Sequence, residues 1–237
     1  FSCGIAAKQM ADKVNARIVS NGVKGEVHTY SVTDYAESVI NAASGVYSDK
    51  AVNAVKAMLN YGTAAQQYFG YNTDNPANSI MTDDDKNMDM VGFNTYTGKL
   101  VNADSVSGIS YYGSSLVLES DTILRNYFEL SDGYSIDNYT FYVKDKDGNK
   151  NIIAPQKTDA SLYYIDISNV KAYELADNVN IYVQKNGDSE DKIMMLEYGA
   201  YVYARYVDKY LDNTALKNLM TAMYHYCNAA TEYANIY

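Results

Sequence analysis

The sequence has no tryptophan and only two prolines, two histidines and two cysteines among its 237 residues. Because a structural zinc site needs closely spaced Cys and His ligands, this scarcity argues against one. No apolar run approaches the roughly 20 residues of a membrane-spanning helix. Basic residues are also few, since 19 Lys and Arg stand against 29 Asp and Glu and give a net charge of −10. Such a chain repels nucleic-acid phosphates and anionic membranes, so neither is an expected partner.

The two cysteines, Cys3 and Cys227, leave the redox compartment open. They form a disulfide if the two ends of the chain meet, and otherwise they are two small buried thiols, which is the interpretation we favour. What the sequence does contain is 47% apolar and 20% charged residues, a composition typical of soluble globular domains. Its aromatic residues are 26 tyrosines and 5 phenylalanines, so most aromatic contacts in the folded protein must be made by tyrosine.

Alternating residues and turn signals predict strands near the N-terminus. The run Val14–Ile18 alternates apolar and polar residues, and Asn21-Gly22 is typical of a tight hairpin turn. The segment Glu26–Val32 is the predicted returning strand.

Two helices are predicted to follow the hairpin. Thr33-Asp34 starts the first, with Glu37 completing a capping pattern, and this helix runs to about Ser44. Ser48-Asp49 caps the second, whose apolar residues recur at helical spacing until it stops near Gly70.

Short strands separated by turns are predicted between residues 88 and 183, a spacing typical of a β-sandwich. The predicted strands are Gly108–Glu119, Leu124–Leu130, Tyr139–Lys144, Leu162–Ile167 and Val179–Gln184, with a tight hairpin at Asp147-Gly148. Helices are expected again at Lys192–Tyr210 and Ala215–Tyr233. The predicted fold class is therefore α+β, a β-sandwich packed with helix pairs.

Two stretches near the beginning of the chain match two near its end at one offset. Gln9–Asn15 (QMADKVN) matches Glu174–Asn180 (ELADNVN), and Ala57–Tyr68 matches Ala222–Tyr233, both 165 residues apart. A shared offset indicates an internal duplication. The predicted organisation is an incomplete first repeat at 1–72, an acidic linker at 73–87 and a second repeat at 88–237. The first repeat lacks the strands that precede the second, so either it has lost them or the chain is a piece of a longer protein, and we favour the second interpretation.

Three stretches carry a resemblance to known proteins: Lys56–Asp74, Ser110–Glu119 and Leu219–Tyr233. They resemble modules of large secreted, cell-surface proteins of gut Ruminococcus and related Clostridia, over nearly the whole chain from about Gly4. Among the relatives of these modules are the starch-adherence proteins of the Ruminococcus amylosome, in which a β-sandwich and a helix cluster hold α-glucan between them. The resemblance implies an extracellular, non-catalytic starch-binding module, secreted or attached to the cell surface. The resemblance does not identify any individual binding residue in this sequence.

The tyrosines divide into packing and surface candidates. Four lie seven residues apart in pairs on alanine-bearing helix faces, which predicts packing: Tyr61, Tyr68, Tyr226 and Tyr233. Adjacent residues of a strand point to opposite faces, so the pairs Tyr111-Tyr112 and Tyr163-Tyr164 each offer one surface ring.

Sugars bind to aromatic platforms flanked by amide, carboxylate and other polar groups, and this chemistry selects the ligand candidates. The candidate glycan-binding residues are Tyr111 or Tyr112, Tyr198 or Tyr201, Asn72, Asp74 and Arg125. The expected partner is a polysaccharide, an α-glucan, with other surface proteins bound through segments outside this chain. The same tyrosines suit a protein surface, so a structural or protein-interaction module of a cell-surface assembly, without glycan binding, is the alternative.

No cofactor, metal or catalytic residue is predicted. The alternating carboxylates of Asp83–Asp89 suit a calcium ion, yet such a run is more typical of a solvated linker. The alternation at Asp145–Asn149 is better explained by a hairpin turn. A glycosidase needs two carboxylates across a cleft, and no motif selects a pair among 29 acidic residues. We therefore expect a protein that is not an enzyme.

Overall fold

The computed structural model describes residues 4–90, 100–102, 106–118, 122–145, 147–168, 170–174, 179–187, 192–196 and 212–235. The chain forms two compact units, one made of Phe1–Val91 with Tyr210–Tyr237 and the other of Gly92–Lys209. The domain boundaries predicted after residues 72 and 87 divide the chain differently. They refer to copies of a repeat rather than to compact units, and they stay a prediction.

The first unit begins with a narrow β-ribbon. Strand β1 (Val14–Ala16) pairs antiparallel with β4 (His28–Tyr30), and between them β2 (Val19–Ser20) pairs with β3 (Val23–Lys24). Asn21 and Gly22 join β2 to β3 with φ angles of 49° and 81°, the left-handed conformations that a two-residue hairpin turn requires. The predicted hairpin is therefore confirmed.

Helix α1 (Val32–Ile40) starts and ends earlier than predicted. Its N-cap is Ser31, whose hydroxyl accepts a hydrogen bond from the Asp34 backbone N–H at 3.0 Å. The Asp34 carboxylate in turn accepts the Ser31 backbone N–H at 2.8 Å. This reciprocal pair makes Asp34, and not Glu37, the partner of the cap, so the assignment of the cap to Thr33-Asp34 was wrong.

Two long helices complete the first unit. Helix α2 (Asp49–Phe69) is capped by the Ser48 hydroxyl, which accepts the Ala51 backbone N–H at 3.2 Å, and it ends at Gly70 with φ +61°, as predicted. A single helical turn, α3 (Asp83–Lys86), follows in the predicted acidic stretch. The C-terminal helix α4 (Thr214–Ala234) lies within one residue of its predicted bounds at both ends.

Helices α2 and α4 pack against each other in the first unit. The rings of Tyr61 and Tyr226 stack there with centroids 5.9 Å apart. Burial raises the pKa of the Tyr226 hydroxyl, because the apolar surroundings disfavour its charged form. These two tyrosines are packing residues, as the alanine-bearing helix faces predicted.

The second unit contains two antiparallel sheets in the described part of the chain. In order across the first sheet, its four strands are β10 (Gln156–Lys157), β11 (Tyr163–Ile167), β7 (Thr122–Leu130) and β6 (Ile109–Leu118). The second sheet has the order β5 (Leu100–Asn102), β13 (Lys192–Leu196), β12 (Val179–Lys185), β8 (Tyr139–Lys144) and β9 (Lys150–Ile153). The mixture of helices with antiparallel sheets agrees with the predicted α+β class.

The helix predicted over Lys192–Tyr210 is wrong at its beginning. Residues Lys192–Leu196 form strand β13, which pairs with β12 on one side and β5 on the other. A short apolar run of this kind suits a buried strand as well as a helix, and long-range pairing with two strands decides between them. Residues 197–211 lie outside the described residues.

Both sheets contribute side chains to one hydrophobic cluster. The ring of Phe128 on β7 lies 5.0 Å from that of Phe141 on β8, and neither ring is exposed to solvent. The buried members of the cluster are Val106, Ile109, Leu124, Phe128, Tyr139, Phe141, Ile165, Ile181 and Val183. Each sheet thus has an inner face on this core and an opposite, outer face.

Candidate functional site

The outer face of the four-stranded sheet is polar and aromatic, because residues alternate along its central strand β7. Leu124 and Phe128 point to the core and are fully buried. Arg125 and Tyr127 alternate with them and therefore lie on the outer face, where both stay partly exposed. The pairing of β7 with its neighbours extends this face across the sheet.

One row of residues crosses all four strands in register. Gly113 on β6 lies opposite Tyr127, Tyr127 opposite Tyr164 on β11, and Tyr164 opposite Gln156 on β10. The two tyrosine rings have centroids 6.0 Å apart and planes inclined by 52°. The Tyr164 hydroxyl donates to Gln156 Oε1 at 2.6 Å, which fixes one ring of this tyrosine row.

An ion pair forms the adjacent row. Arg125 donates from Nε and Nη2 to the two carboxylate oxygens of Asp166, each at 2.8 Å. This fork geometry raises the pKa of Arg125 above its ordinary value, chiefly through the hydrogen bonds to Asp166. The Arg125 Cζ also lies 4.0 Å from the centroid of the Tyr164 ring. The pair is 26% and 21% exposed at its two side chains, so it is partly desolvated and neutral overall.

Ser115 and Gly113 complete the surface on the β6 side. Ser115 is the register partner of Arg125, and its hydroxyl lies 3.2 Å from the Tyr127 hydroxyl. A Cβ atom built on Gly113 would meet no atom within 4 Å, so the space beside the Tyr127 ring is open. We call these residues the outer-face cluster: Gly113, Ser115, Arg125, Tyr127, Gln156, Tyr164 and Asp166.

Of the predicted ligand residues, Arg125 is in the outer-face cluster and Tyr112 lies on the same sheet. Tyr112 falls at the register shift between Tyr111 and Gly113, and it is 65% exposed. Tyr111 points inward instead, because its ring packs edge-on against Phe128 at 6.1 Å between centroids. Its hydroxyl lies 2.5 Å from Ser114 Oγ, and the half-buried side chain packs against the core of the unit.

Two of the other predicted residues, Asn72 and Asp74, lie in the first unit. Asn72 lies in the first unit after α2, where its side-chain amide donates to Asp12 Oδ1 at 3.1 Å, and Asp74 is exposed in the same loop. Tyr198 and Tyr201 lie outside the described residues. That the predicted residues form one glycan site stays a prediction.

Sequence reasoning missed Tyr127, Gln156 and Asp166, and it noted Tyr164 only as a member of an adjacent pair. One local signal was present, because Tyr127 follows Arg125 by two residues in a predicted strand and must share its face. The pairing of β7 with β11, which adds Tyr164 and Asp166, leaves no such signal.

A second aromatic surface lies in the first unit, between α1, α2 and α4. It is a groove of about 220 Å³, and its lining carries no charged residue. Tyrosines and alanines are prominent among the residues that line it, including Tyr35, Tyr47, Tyr226, Tyr233, Ala51 and Ala54. The groove is apolar, with few of the polar partners that the outer-face cluster provides.

The acidic segments show ordinary structural roles. Asp85 accepts a hydrogen bond from Lys56 Nζ at 2.8 Å, and this bond lowers the pKa of the carboxyl group. Asp145 accepts the backbone N–H groups of Asp147 and Asn149, at 2.9 and 2.8 Å, within the predicted hairpin turn. Among the described residues, no group of three His, Cys, Asp or Glu side chains is arranged to hold a metal ion.

Two further observations concern the chain as a whole. None of the described helices combines the length and apolar character needed to cross a bilayer. A scan against protein-family models matches no family, and searches of curated proteins and of solved structures give no match.

Proposed function

We propose that the chain is a non-catalytic carbohydrate-binding module that holds an α-1,4-glucan on its outer-face cluster. The observation that carries this proposal is the in-register row of Tyr127 and Tyr164 beside the neutralised Arg125–Asp166 pair. Sugar rings present C–H faces that stack on aromatic rings and hydroxyl groups that need fixed polar partners.

The polar groups of the outer-face cluster match sugar hydroxyls. Arg125 uses Nε and Nη2 for Asp166, so Nη1 faces no described hydrogen-bond partner and is available to a ligand oxygen. Ser115 and Gln156 add a hydroxyl and an amide at opposite ends of the surface. The ion pair brings no net charge, which suits a neutral polysaccharide better than a phosphate or a carboxylate ligand.

The angle between the two tyrosine rings favours a curved glucan. In an α-1,4-linked chain successive sugar rings are inclined to one another, whereas the rings of a β-1,4-linked chain lie nearly flat along a ribbon. Two platforms inclined by 52°, with centroids 6.0 Å apart, follow the first shape. We therefore place starch-like chains ahead of cellulose-like chains as ligands.

We also propose an architecture for the chain and a location for the protein. We infer that the second unit is a β-sandwich, which is supported by the single core that both sheets share. We also infer an internal duplication, because α2 (Asp49–Phe69) and α4 (Thr214–Ala234) begin and end 165 residues apart, the offset of the sequence matches. The 3-10 helices Ala7–Gln9 and Ala172–Glu174 have the same offset. With the resemblance to starch-adherence proteins, we place the module outside the cell, in a larger surface protein.

Isothermal titration with maltoheptaose tests the proposed function. We expect binding that weakens about fivefold or more in Tyr127→Ala and in Tyr164→Ala, since an aromatic contact contributes about 1 kcal/mol or more. Tyr173→Ala is the matched control, because this exposed tyrosine lies in the same unit but outside the cluster, and it should bind like the unchanged protein.

Two results would reject the proposal. One is the absence of heat with maltoheptaose at high protein concentration, and the other is unchanged binding in Tyr127→Ala. Cellohexaose should bind more weakly than maltoheptaose, and the reverse order would reject the argument from ring inclination.

A protein-interaction module is the second candidate, and the tyrosine-lined groove of the first unit favours it. The alanines in its lining leave room for an apolar side chain or a helix to approach, and tyrosine is common on such surfaces because it adds contact area at low entropic cost. A chain that binds no glucan but loses a protein partner in Tyr35→Ala would support this candidate instead.

A further inference from the structure

The chain contains two Asn-Gly pairs, and they occupy matched positions. Asn21-Gly22 and Asn186-Gly187 lie 165 residues apart, the offset of the sequence matches. In an Asn-Gly pair the next backbone nitrogen reaches the side-chain amide carbon most easily, because glycine has no Cβ to hinder the approach. By sequence alone the two asparagines are equally reactive, and only the structure distinguishes them.

Asn186 is held by three hydrogen bonds. Its side-chain Nδ2 donates to Asp137 O at 2.8 Å, and the Thr140 hydroxyl donates to its Oδ1 at 3.4 Å. Its backbone N–H also donates to Asn138 O at 2.8 Å. The preceding strand β12 is paired along both edges, with β13 and with β8. These bonds hold the amide group of Asn186 where it is, so they must break before it can turn toward the nitrogen of Gly187.

Asn21 lacks these restraints. No hydrogen bond to its side-chain amide is found among the described residues, and both Asn21 and Gly22 are exposed. They join β2 to β3, strands of two residues each that pair with one another and with no third strand in the described part of the chain. A Cβ atom built on Gly22 would meet no atom within 4 Å, so the turn has open space in which to rearrange. A ribbon this short opens readily, because few hydrogen bonds hold it.

We propose that Asn21 is a modification site at which water is the reactant and the side-chain amide becomes a carboxylate. The Gly22 backbone nitrogen loses its proton to hydroxide and attacks Asn21 Cγ. The bond from Cγ to Nδ2 breaks, ammonia leaves, and a succinimide ring joins the two residues. Water then opens the ring at either carbonyl and leaves aspartate or isoaspartate. The net reaction exchanges ammonia for water, so it needs no oxidant, reductant or enzyme.

The modification has two consequences for the ribbon. The turn gains a negative charge, and in isoaspartate the main chain runs through the former side chain, which lengthens the turn by one atom. The pairing of Ser20 with Val23 and of Val19 with Lys24 depends on the length of that turn, so β2 and β3 should lose their register. This inference is independent of the proposed glucan binding, because the outer-face cluster lies in the second unit.

Peptide mapping by mass spectrometry, on the folded 237-residue chain stored at mildly alkaline pH, tests the inference. The peptide that contains Asn21 should gain one mass unit about tenfold or more faster than the peptide that contains Asn186, since the side-chain hydrogen bonds of Asn186 must break before its ring can close. In urea the two peptides should react at similar rates, because unfolding removes those bonds.

Two matched variants assign the reaction to its residue. Asn21→Gln should abolish the fast mass gain of the intact chain, because the longer glutamine side chain cyclises far more slowly. Asn186→Gln is the control and should leave the fast mass gain unchanged.

Three results would overturn the inference. The first is a mass gain at Asn21 that is no faster than the gain at Asn186 in the folded chain. The second is a fast mass gain that persists in Asn21→Gln. The third is a rate at Asn21 that does not rise from mildly acidic to mildly alkaline pH, because the attacking nitrogen of Gly22 must first lose its proton.

Discussion

Two glycines of the second unit offer a matched test of its packing, because the same substitution should have opposite outcomes at the two positions. Gly108 has φ +81°, and a Cβ built there lies 2.2 Å from Tyr134 Cδ1. Gly113 lies five residues away, and its added Cβ would meet no atom within 4 Å. We therefore expect Gly108→Ala to destabilise the unit strongly and Gly113→Ala to be tolerated.

The magnitude at Gly108 has two parts. A left-handed conformation costs an L-residue about 1–2 kcal/mol. The overlap with Tyr134 adds roughly 1–3 kcal/mol, the usual range for overpacking, because the added Cβ also overlaps Tyr134 Cγ, the ring atom nearest the backbone. Its hydroxyl lies 3.2 Å from Ser107 Oγ, and its backbone N–H donates to Ser131 O at 3.2 Å. The sum is about 2–5 kcal/mol for Gly108→Ala, against less than about 1 kcal/mol for Gly113→Ala.

Equilibrium unfolding in urea provides the assay, with hydrogen exchange of residues 109–118 to report on the second unit. The Tyr134→Ala background separates the two parts, since Gly108→Ala should then cost only the backbone part, about 1–2 kcal/mol. Equal costs for the two glycine substitutions would refute the reasoning. A cost at Gly108 that does not fall in the Tyr134→Ala background would refute the steric part alone.

Two further predictions concern the site and the first unit. Gly113→Val should place a side chain beside the Tyr127 ring and weaken maltoheptaose binding at least tenfold in titration calorimetry. The midpoint of urea unfolding should stay nearly unchanged. Unaltered affinity would show that the ligand binds elsewhere. The bond from Lys56 lowers the pKa of Asp85 in the folded protein, so its stabilisation is complete above the ordinary carboxyl pKa and is lost as pH falls through the lowered value. In urea unfolding Asp85→Asn should therefore cost up to about 1 kcal/mol at pH 7 and much less near pH 2, and a cost independent of pH would contradict this assignment.

The features that the sequence predicted correctly are those with a local cause. Ser48 caps α2, Gly70 ends it, and Asn21-Gly22 turns the ribbon because a few neighbouring atoms decide each conformation. The same holds for the hairpin at Asp147-Gly148, where the Asp145 carboxylate accepts backbone N–H groups. Such features can be predicted from a few neighbouring residues, without knowledge of the rest of the chain.

The features that sequence reasoning missed depend on pairing between distant residues. The apolar run Lys192–Leu196 becomes a strand because β12 and β5 flank it, and nothing within the run requires this. The outer-face cluster likewise needs Arg125 to meet Asp166, 41 residues further along the chain. Arg125 was selected as a polar neighbour of tyrosines, but its ion pair and its contact with Tyr164 follow from strand register alone.

The stacked pair of Tyr61 and Tyr226 has a consequence for assembly. The two tyrosines hold the same position in the two matched stretches, so α2 and α4 meet through like surfaces, as the subunits of a twofold-symmetric dimer do. Two separate copies would have to find each other in solution, and their association would fail on dilution. A covalent connection gives the helices a high effective concentration, so the pair persists even when the protein is scarce. The contact between Tyr61 and Tyr226 is therefore intramolecular and does not depend on the concentration of the protein.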